Sequence, residues 1–341
     1  MEINISQKTL QFRTPLLTPD GEQSQHYYVG IFMMDDKGQR IGLGECAPLP
    51  WASADKDAYN RLSDVATLIN DAMDSNDYAE NLRPYPALLF ALESAMYDYQ
   101  QNPLLYDTPF AKSQVGIPLV GNITAVTYDD MLRSAKQMML QGFRCIKLHI
   151  TNDNIDDVIN VIGKIRSRFS PSALQIRLDG GAFMTPQEAR DIITTLAPHL
   201  IHSIERPLAQ HHRHALASLC QDTKIPVTLS SELTGINTLK EKSQLLDTLK
   251  PQYLSIKPML HGGMAGTIEW VSEAQKRGIA SWLSSAYEGN IGQRNIALLA
   301  ARIYGATPLP QDIDTGNLYS DNIEMDMELR HNKLWRCLVE N

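Results

Sequence analysis

The sequence predicts an α/β protein, with a barrel of the TIM type preceded by a small α+β unit. From residue 117 onward, short apolar strands alternate with helical segments of about ten to fifteen residues, which is the pattern of parallel βα units. Eight candidate strands can be counted, and eight strands close a TIM barrel. The residues before them have antiparallel character, so the 341 residues are best divided into a barrel and a smaller domain.

The N-terminal unit is predicted over residues 1–115. Residues 3–12 and 27–34 have period-two apolar character on either side of a turn at residues 18–21, which predicts two paired strands. Residues 86–100 carry apolar side chains at intervals of three and four, which predicts a helix. The unit is therefore expected to be of the α+β class.

The barrel is predicted over residues 116–316. Its candidate strands are residues 117–121, 145–150, 175–179, 202–205, 227–231, 253–257, 281–285 and 313–315. Its candidate helices are residues 129–141, 156–168, 186–196, 213–219, 239–249, 265–277 and 293–304. Residues 317–341 form a C-terminal segment whose apolar-containing end, residues 334–339, is expected to pack on the N-terminal unit.

Composition excludes several classes of function. The balance of 31 basic and 39 acidic residues gives a net charge of −8, and without a basic stripe nucleic acid is not an expected partner. The 4 cysteines form no C-x-x-C pair, so neither a zinc knuckle nor a redox motif is indicated. The N-terminus lacks the plan of a signal peptide, and no apolar run approaches the roughly 18 residues that span a bilayer. We expect a cytoplasmic protein with no membrane partner. The sequence leaves open whether it forms a homo-oligomer.

Polar residues end several of the predicted strands, at the edge of a barrel where reactive groups project. They are Lys147 and His149 on the second strand, Asp179 on the third, Glu205 on the fourth, Ser230, Ser231 and Glu232 on the fifth and Lys257 on the sixth.

The acidic members of this ring are candidate metal ligands. Asp179 and Glu205 end successive strands, and carboxylate oxygens converging from different directions suit Mg²⁺. The alternative is structural: Asp179 caps the following Gly180–Gly181 turn, and Glu205 pairs with Arg206 or another base. Spacing alone leaves both interpretations open.

The basic members are candidates for proton transfer. Lys147 and His149 are two residues apart on a strand, so both point into the barrel. Near a carboxylate–metal cluster, such groups suit proton transfer at a carbon acid. His149 could instead be a satisfied core histidine. Lys257 is expected to face the same centre from the opposite side.

Two loops at strand ends are candidate binding elements for a small carboxylate substrate. Backbone amides at a helix start can hold a carboxylate or phosphate, although glycine is also simply a turn former. The predicted substrate-binding residues in these loops are Gly262, Gly263, Ser284, Glu288 and Asn290.

Seven motifs in order carry a resemblance to a known family. They are GLGECAPLP at 42–50, FALESA at 90–95, GFRCIKLH at 142–149, IRLDGGAF at 176–183, SIERP at 203–207, LSIKPMLHGG at 254–263 and SSAYEGNIG at 284–292. Together they resemble the enolase superfamily, and within its muconate-lactonizing-enzyme subgroup the o-succinylbenzoate synthases of menaquinone biosynthesis. The resemblance covers nearly the whole chain.

The resemblance implies a modified TIM (β/α) barrel with an N-terminal α+β capping domain, whose loops at residues 14–24 and 49–54 cover the substrate. It implies a lyase, in which Mg²⁺ binds a substrate carboxylate and a lysine of the second strand removes the α-proton. The enolate then expels a β-hydroxyl as water from a cyclohexadiene carboxylate. Carried over to this chain, the metal ligands are Asp179, Glu205 and Ser230, and the catalytic residues are Lys147, His149 and Lys257.

Three positions depart from the family pattern. The second lysine of Lys-x-Lys is His149, the aspartate of the fifth strand is Ser230, and Asp-Ala-Asn of the third strand is Asp179-Gly180-Gly181. Histidine can act as a base near neutral pH, while Ser230 removes one charge from the metal ligands. We expect weaker binding of Mg²⁺ and low or redirected turnover, with Glu232 as an alternative ligand.

Three hypotheses of function follow from these residues. The first is the lyase that forms o-succinylbenzoate. The second is a racemase or epimerase of a dipeptide or N-acylamino acid, because the same barrel supports bases on opposite faces. The third is a barrel with impaired catalysis that acts as a binding or regulatory protein.

Overall fold

The computed structural model describes residues 2–18, 21–35, 38, 41–305, 309–313 and 318–337. Two sheets of different kinds organise this part of the chain: an antiparallel sheet near the N-terminus and a curled parallel sheet of seven strands. None of the helices within these ranges has the length and apolar character needed to cross a membrane.

The N-terminal sheet has the order β1-β2-β3, with β1 at Glu2–Thr18, β2 at Gly21–Met34 and β3 at Ile41–Cys46. All pairs are antiparallel. The first two strands are longer than predicted, because β1 continues through a shift of register between Gln11 and Leu16 and pairs as far as Thr18. An irregularity of this kind breaks the period-two pattern that the prediction relied on.

Four helices follow: α1 at Leu62–Met73, α2 at Tyr78–Asn81, α3 at Pro86–Gln100 and α4 at Pro103–Tyr106. Helix α3 has the predicted bounds, with a proline in its first turn and a left-handed residue, Gln101, directly after it. It packs against β3 so closely that a Cβ on Gly44 would lie 1.9 Å from the carbonyl oxygen of Ala91. The glycine of this motif is therefore required by backbone contact.

The barrel follows the predicted alternation after its first strand. The prediction of one strand over residues 117–121 is wrong: β4 at Ile117–Pro118 lies outside the parallel sheet, and the first strand of that sheet is β5 at Gly121–Ile123. The other strands of the sheet are β6 at Cys145–His149, β7 at Gln175–Asp179, β8 at Ser203–Glu205, β9 at Val227–Leu229, β10 at Tyr253–Ile256 and β11 at Ala280–Leu283. Its helices are α5 at Tyr128–Leu140, α6 at Ile155–Arg166, α7 at Pro186–Leu196, α8 at Arg213–Gln221, α9 at Leu239–Leu249, α10 at Gly263–Gln275 and α11 at Asn290–Tyr304.

The parallel sheet runs in the order β11-β10-β9-β8-β7-β6-β5, and two short bridges join its edges. Gln311 pairs with Leu119, and Asp312 pairs with Ser284 at the end of β11. The eighth strand position is therefore at residues 311–312, just before the predicted residues 313–315, of which 314 and 315 lie outside the described residues. The Gln311 side chain also accepts a hydrogen bond from Leu283 N at 2.7 Å, which anchors this segment to β11.

The C-terminal segment contacts both parts of the molecule. Strands β12 at Met327–Arg330 and β13 at Lys333–Arg336 form a hairpin, and β13 pairs with β4 at the start of the barrel. Arg336 donates a hydrogen bond to the carbonyl of Ala111 at 3.0 Å, and residues 318–320 pair with residues 11–13 of β1. The domain limits at residues 115 and 316 stay a prediction.

Candidate active site

The charged residues of the predicted ring lie together at the C-terminal ends of β6, β7 and β8. In these parallel strands His149 is in register with Asp179, and Asp179 is in register with Glu205. Alternation along β6 turns Lys147 toward the same interior as His149. The prediction that these strand ends converge is confirmed for Lys147, His149, Asp179, Glu205, Ser230 and Lys257, which contact one another in pairs.

Asp179 is buried, and its carboxylate binds both a cationic side chain and a backbone amide of the following turn. Its Oδ2 lies 2.6 Å from Nη2 of Arg206, and its Oδ1 accepts a hydrogen bond from the amide of Gly181 at 2.9 Å. Burial alone would raise the pKa of Asp179, but Arg206, with His149 and Lys147, holds that pKa far below its usual range. Asp179 is therefore a carboxylate with a fixed positive partner.

Glu205 lies between two lysines. Its Oε2 is 3.7 Å from Nζ of Lys147, and its Oε1 is 3.5 Å from Nζ of Lys257. Burial opposes the charge of Glu205, but these lysines lower its pKa below the usual value. The alternative that Glu205 pairs with Arg206 or another base holds in its second form, because the partners are Lys147 and Lys257, whereas the guanidinium of Arg206 hydrogen-bonds to Asp179.

Lys147 is held by a carboxylate that the sequence analysis did not single out. Its ammonium group hydrogen-bonds to Oδ2 of Asp312, whose Oδ1 accepts a hydrogen bond from Asn122 at 2.7 Å and whose Oδ2 accepts one from Ser284 at 3.2 Å. Burial alone would lower the pKa of Lys147, but Asp312 and Glu205 raise it well above its usual value. An aspartate ending the eighth strand position was the signal that could have found Asp312.

His149 is the more open of the two residues on β6. Its side chain is 34% exposed, and its Nδ1 lies 3.5 Å from Oδ2 of Asp179. Burial among charged groups lowers the pKa of His149 below its usual value, with Asp179 opposing this shift. The imidazole is therefore neutral at pH 7. Asp179 favours the proton on Nδ1, which leaves Nε2 as an acceptor.

Lys257 and Ser230 form a pair on the opposite side of the ring. Nζ of Lys257 donates to Oγ of Ser230 at 2.9 Å, and the backbone amide of Lys257 donates to Nδ1 of His261 at 2.9 Å. His261 is buried, and burial holds its pKa well below the usual value, so it stays a neutral acceptor that fixes the start of this loop. Glu232 accepts from the Ser230 amide at 2.9 Å, so its carboxylate is tied to the backbone of this loop.

The predicted binding loops have their helix-start amides occupied by carboxylates of the chain itself. Glu93 accepts hydrogen bonds from Met264 and Ala265 at the start of α10, at 2.6 and 3.1 Å. Glu45 accepts from Gly289 and Gly292 at the start of α11, at 2.6 and 2.9 Å. The expectation that amides of these helix starts are free for a ligand is wrong for these four, because carboxyl groups of the N-terminal unit accept their hydrogen bonds.

The five predicted substrate-binding residues are placed differently from one another. Asn290 binds the C-terminal segment, donating to Ile323 O at 2.5 Å, and buried Glu288 accepts from the Ala286 amide at 2.5 Å. Gly262 and Gly263, both with positive φ, form the turn into α10 beside Glu93. Ser284 alone contacts the charged ring, through Asp312. Their part in binding a substrate stays a prediction.

Two further residues of the ring were not selected from the sequence. Arg206 and Tyr287 both have positive φ, 47° and 63°, in a region that non-glycine residues seldom adopt. Burial raises the pKa of Tyr287, and Arg206 and Asp179 act on that pKa in opposite directions, so the phenol lies near these charges. The ring of Tyr287 also contacts Trp51 at a centroid distance of 6.0 Å. Trp51 belongs to the loop at residues 49–54 that the resemblance places over the substrate.

The donor set does not fit the predicted magnesium ion. Both carboxylate oxygens of Asp179 accept hydrogen bonds, one from Arg206 and one from a turn amide, and the carboxylate of Glu205 lies between two lysines. The third position is the Ser230 hydroxyl, which accepts from Lys257. Across the described residues, no three His, Cys, Asp or Glu side chains come together as metal ligands. A cation placed here would meet fixed positive charges at each of its ligands.

Comparisons with known proteins agree with this fold. Residues 130–333 match the family described as enolase C-terminal domain-like. The o-succinylbenzoate synthase of Desulfotalea psychrophila is 32% identical over 268 residues, which are 78% of this chain and 71% of that protein. The L-Ala-D/L-Glu epimerase of Bacillus subtilis is 28% identical over 175 residues, 51% of this chain and 47% of that protein.

Solved structures show the same relationship. The crystal structure of MenC from Desulfotalea psychrophila has a TM-score of 0.80 at 28% identity and covers 98% of this chain and 99% of its own. The substrate complex of the Bacillus subtilis epimerase has a TM-score of 0.78 at 18% identity, covers 98% and 96%, and supports the fold alone. The chain therefore belongs to the enolase superfamily, in the branch that includes the o-succinylbenzoate synthases.

Proposed function

We propose that the chain is a lyase that forms o-succinylbenzoate by removing an α-proton from a cyclohexadiene carboxylate and eliminating water. The similarity to the Desulfotalea enzyme supports the reaction class. The observation that carries the mechanism is the open, neutral imidazole of His149, held 3.5 Å from Asp179 and facing the ring of charges.

In this mechanism His149 is the base. A base must be unprotonated at working pH, and a lowered pKa keeps the imidazole in that form. Lys147 cannot take this part, because Asp312 and Glu205 stabilise its protonated form. Nε2 of His149 removes the α-proton, and the electrons of the C–H bond form the enolate.

The positive groups opposite His149 stabilise the developing charge. Lys257 presents its ammonium group across the ring, held by Ser230 and Glu205. Fixed charges of this kind, placed before the reaction in a buried site, stabilise an anionic transition state without reorganisation. Lys147 adds a second positive charge, attenuated by its pair with Asp312.

The same histidine completes the elimination. The enolate electrons form the new double bond as the β C–O bond breaks, and the imidazolium returns its proton to the leaving oxygen, so that water departs. No step of this sequence passes through a metal ion. Mg²⁺ stays an expectation from the resemblance, and the donor set described above does not support it.

The direct test is an assay of the purified protein with the cyclohexadiene precursor, following formation of o-succinylbenzoate. We expect turnover by the wild type and its loss in His149→Gln. Absence of product at high enzyme concentration would contradict the proposal. Exchange of the α-proton for deuterium without dehydration would instead favour an epimerase, and carboxylate binding without either reaction would favour a binding protein.

A further inference from the structure

Arg206 is held at the ring by an unfavourable backbone conformation. It follows Glu205 at the end of β8 and precedes a proline, and its φ is +47°. Non-glycine residues in this region cost free energy, and they cluster where a side chain must be aimed at a functional site. Its carbonyl accepts a hydrogen bond from Ala182 at 2.9 Å, which fixes this turn against the end of β7.

The guanidinium group balances the charge of the ring. Among the described residues, three carboxylates and three cations of the ring are joined by ion pairs, and Glu232 stands apart, bound to the Ser230 amide. The carboxylates are Asp179, Glu205 and Asp312, and the cations are Lys147, Lys257 and Arg206. Arg206 supplies the charge at Asp179, the residue that the resemblance makes a metal ligand.

Asp179 engages only part of the Arg206 guanidinium. One nitrogen, Nη2, binds Asp179 at 2.6 Å, while Nε is buried and makes no hydrogen bond to any part of the chain that the structure describes. The side chain is 31% exposed, and the phenol of Tyr287 is near enough to contribute to its raised pKa. An arginine fork with unused N–H groups is well suited to a carboxylate.

We propose that Arg206 is the cation that binds the substrate carboxylate in this chain, in the place that the resemblance assigns to Mg²⁺. This inference rests on the proposed function for the identity of the substrate. It explains why Arg206 and Ser230 occur together. If the guanidinium bound to Asp179 takes the place of the metal ion, no third carboxylate is needed at position 230. The enolate would then form beside Arg206 and Lys257.

The first experiment is calorimetric titration of MgCl₂ into four proteins without substrate: wild type, Ser230→Asp, Arg206→Gln/Ser230→Asp and the control Arg190→Gln at a partly exposed residue of α7. We expect no binding by wild type or the control, and at least about tenfold tighter binding by the double variant than by Ser230→Asp, because the competing charge is gone. Tight binding by the wild type, or equal affinities of Ser230→Asp and the double variant, would overturn the inference.

The second experiment titrates o-succinylbenzoate into wild type, Arg206→Lys, Arg206→Gln and Arg190→Gln, in excess EDTA and again in Mg²⁺. We expect wild-type affinity to be the same in both buffers and to fall by about tenfold to a hundredfold in Arg206→Gln, since a charge-assisted pair is lost. Arg206→Lys should be intermediate. Binding that EDTA abolishes, or that Arg206→Gln leaves unchanged, would contradict the role of Arg206.

The two titrations distinguish failure of the inference on Arg206 from failure of the proposed reaction. If the precursor is not converted but the magnesium titrations behave as expected, only the assigned reaction is wrong. If the precursor is converted and conversion requires Mg²⁺ bound by the wild type, the reaction stands and the inference on Arg206 fails. Circular dichroism and thermal unfolding of each variant establish that the fold is retained.

Discussion

Lys147 and His149 lie two residues apart on β6, and their surroundings give them different states of charge. Lys147 is buried against Asp312, which stabilises the ammonium form, whereas His149 is partly open and burial favours its neutral form. Lys147 is thereby held as a cation, whereas the neutral imidazole is favoured for His149. The division of roles within the motif follows from these neighbours.

The first prediction concerns His149 as the base. His149→Gln should lower kcat by about 10²–10⁴, the usual contribution of a general base, with little change in thermal stability. In the wild type, kcat/KM should rise with pH through a pKa below 6.5 and then level, because the neutral imidazole is the active form. In His149→Lys the rise of kcat/KM should occur at higher pH. A pH profile identical in wild type and His149→Lys would exclude His149 as the base.

The second prediction concerns the pair of Lys147 and Asp312. Asp312→Asn leaves a buried ammonium group without its nearest anion, which should lower the free energy of unfolding by about 3–5 kcal/mol. Burial alone would raise the pKa of Asp312, but Lys147 outweighs this effect and holds that pKa far below its usual value. The stabilisation from the ion pair is therefore present above about pH 4 and is lost as pH falls. Denaturant unfolding measures it. Lys147→Met/Asp312→Leu, which removes both charges, should recover most of the loss.

Among the elements, β3 and α3 are joined by backbone contact. Gly42 and Gly44 face the helix, and a Cβ at either position would lie within 2.1 Å of a carbonyl oxygen of α3. A clash with backbone cannot be relieved by rotation of a side chain, so the strand would have to move. Glu45, next to Gly44, would move with it.

The third prediction tests this contact. Gly44→Ala should destabilise the protein by about 1–3 kcal/mol or more through overpacking, and should also lower activity by shifting Glu45 away from α11. The matched control is Gly163→Ala in α6, where the nearest atom would be 3.7 Å away and φ is not positive. That change should be neutral or stabilising by about 0.5–1 kcal/mol. Equal effects in both variants would show that the close contact does not matter.

At the scale of the whole molecule, the N-terminal unit is attached to the barrel by two buried carboxylates. Glu45 and Glu93 each cap a barrel helix, α11 and α10, and Arg294 of α11 lies 2.5 Å from Asp98 of α3. Burial raises the pKa of Glu45 to about 7 and that of Glu93 to about 8, although the helix amides oppose the shift. The join between the two units is therefore sensitive to pH.

The fourth prediction follows from the sign of these shifts. A carboxyl group whose pKa is raised by folding contributes stability at low pH that is lost as pH rises through the folded pKa. The wild-type Tm should therefore fall between about pH 5 and 9, by about 2–4 °C for each kcal/mol lost, and Glu93→Gln should flatten this dependence. The control is Glu188→Gln at the exposed start of α7, where Thr185 lowers the pKa. A slope for Glu93→Gln that parallels the wild type would contradict the prediction.

Two of the helices whose predicted bounds are correct have local signals at their starts. Helices α7 and α9 begin at capping boxes, Thr185 with Glu188 and Thr238 with Glu241, which lie within four residues of one another. The eighth strand position was placed slightly too late, because its two residues are held by Leu119 and Ser284, far away in the chain. Pairing over such distances leaves little trace in a local pattern.

The succession of strands and helices and the ring of polar residues at the strand ends can be predicted from the sequence, because periodicity and strand direction are local properties. Which charges pair depends on the folded chain. Closure of the barrel brings Asp312 to Lys147, the backbone after β8 turns Arg206 to Asp179, and the N-terminal unit occupies helix starts that had been candidates for a ligand. Each of these contacts joins residues that are distant in sequence, and several groups could pair with the same buried charge. Their relative distances, which decide the pairing, exist only in the folded chain.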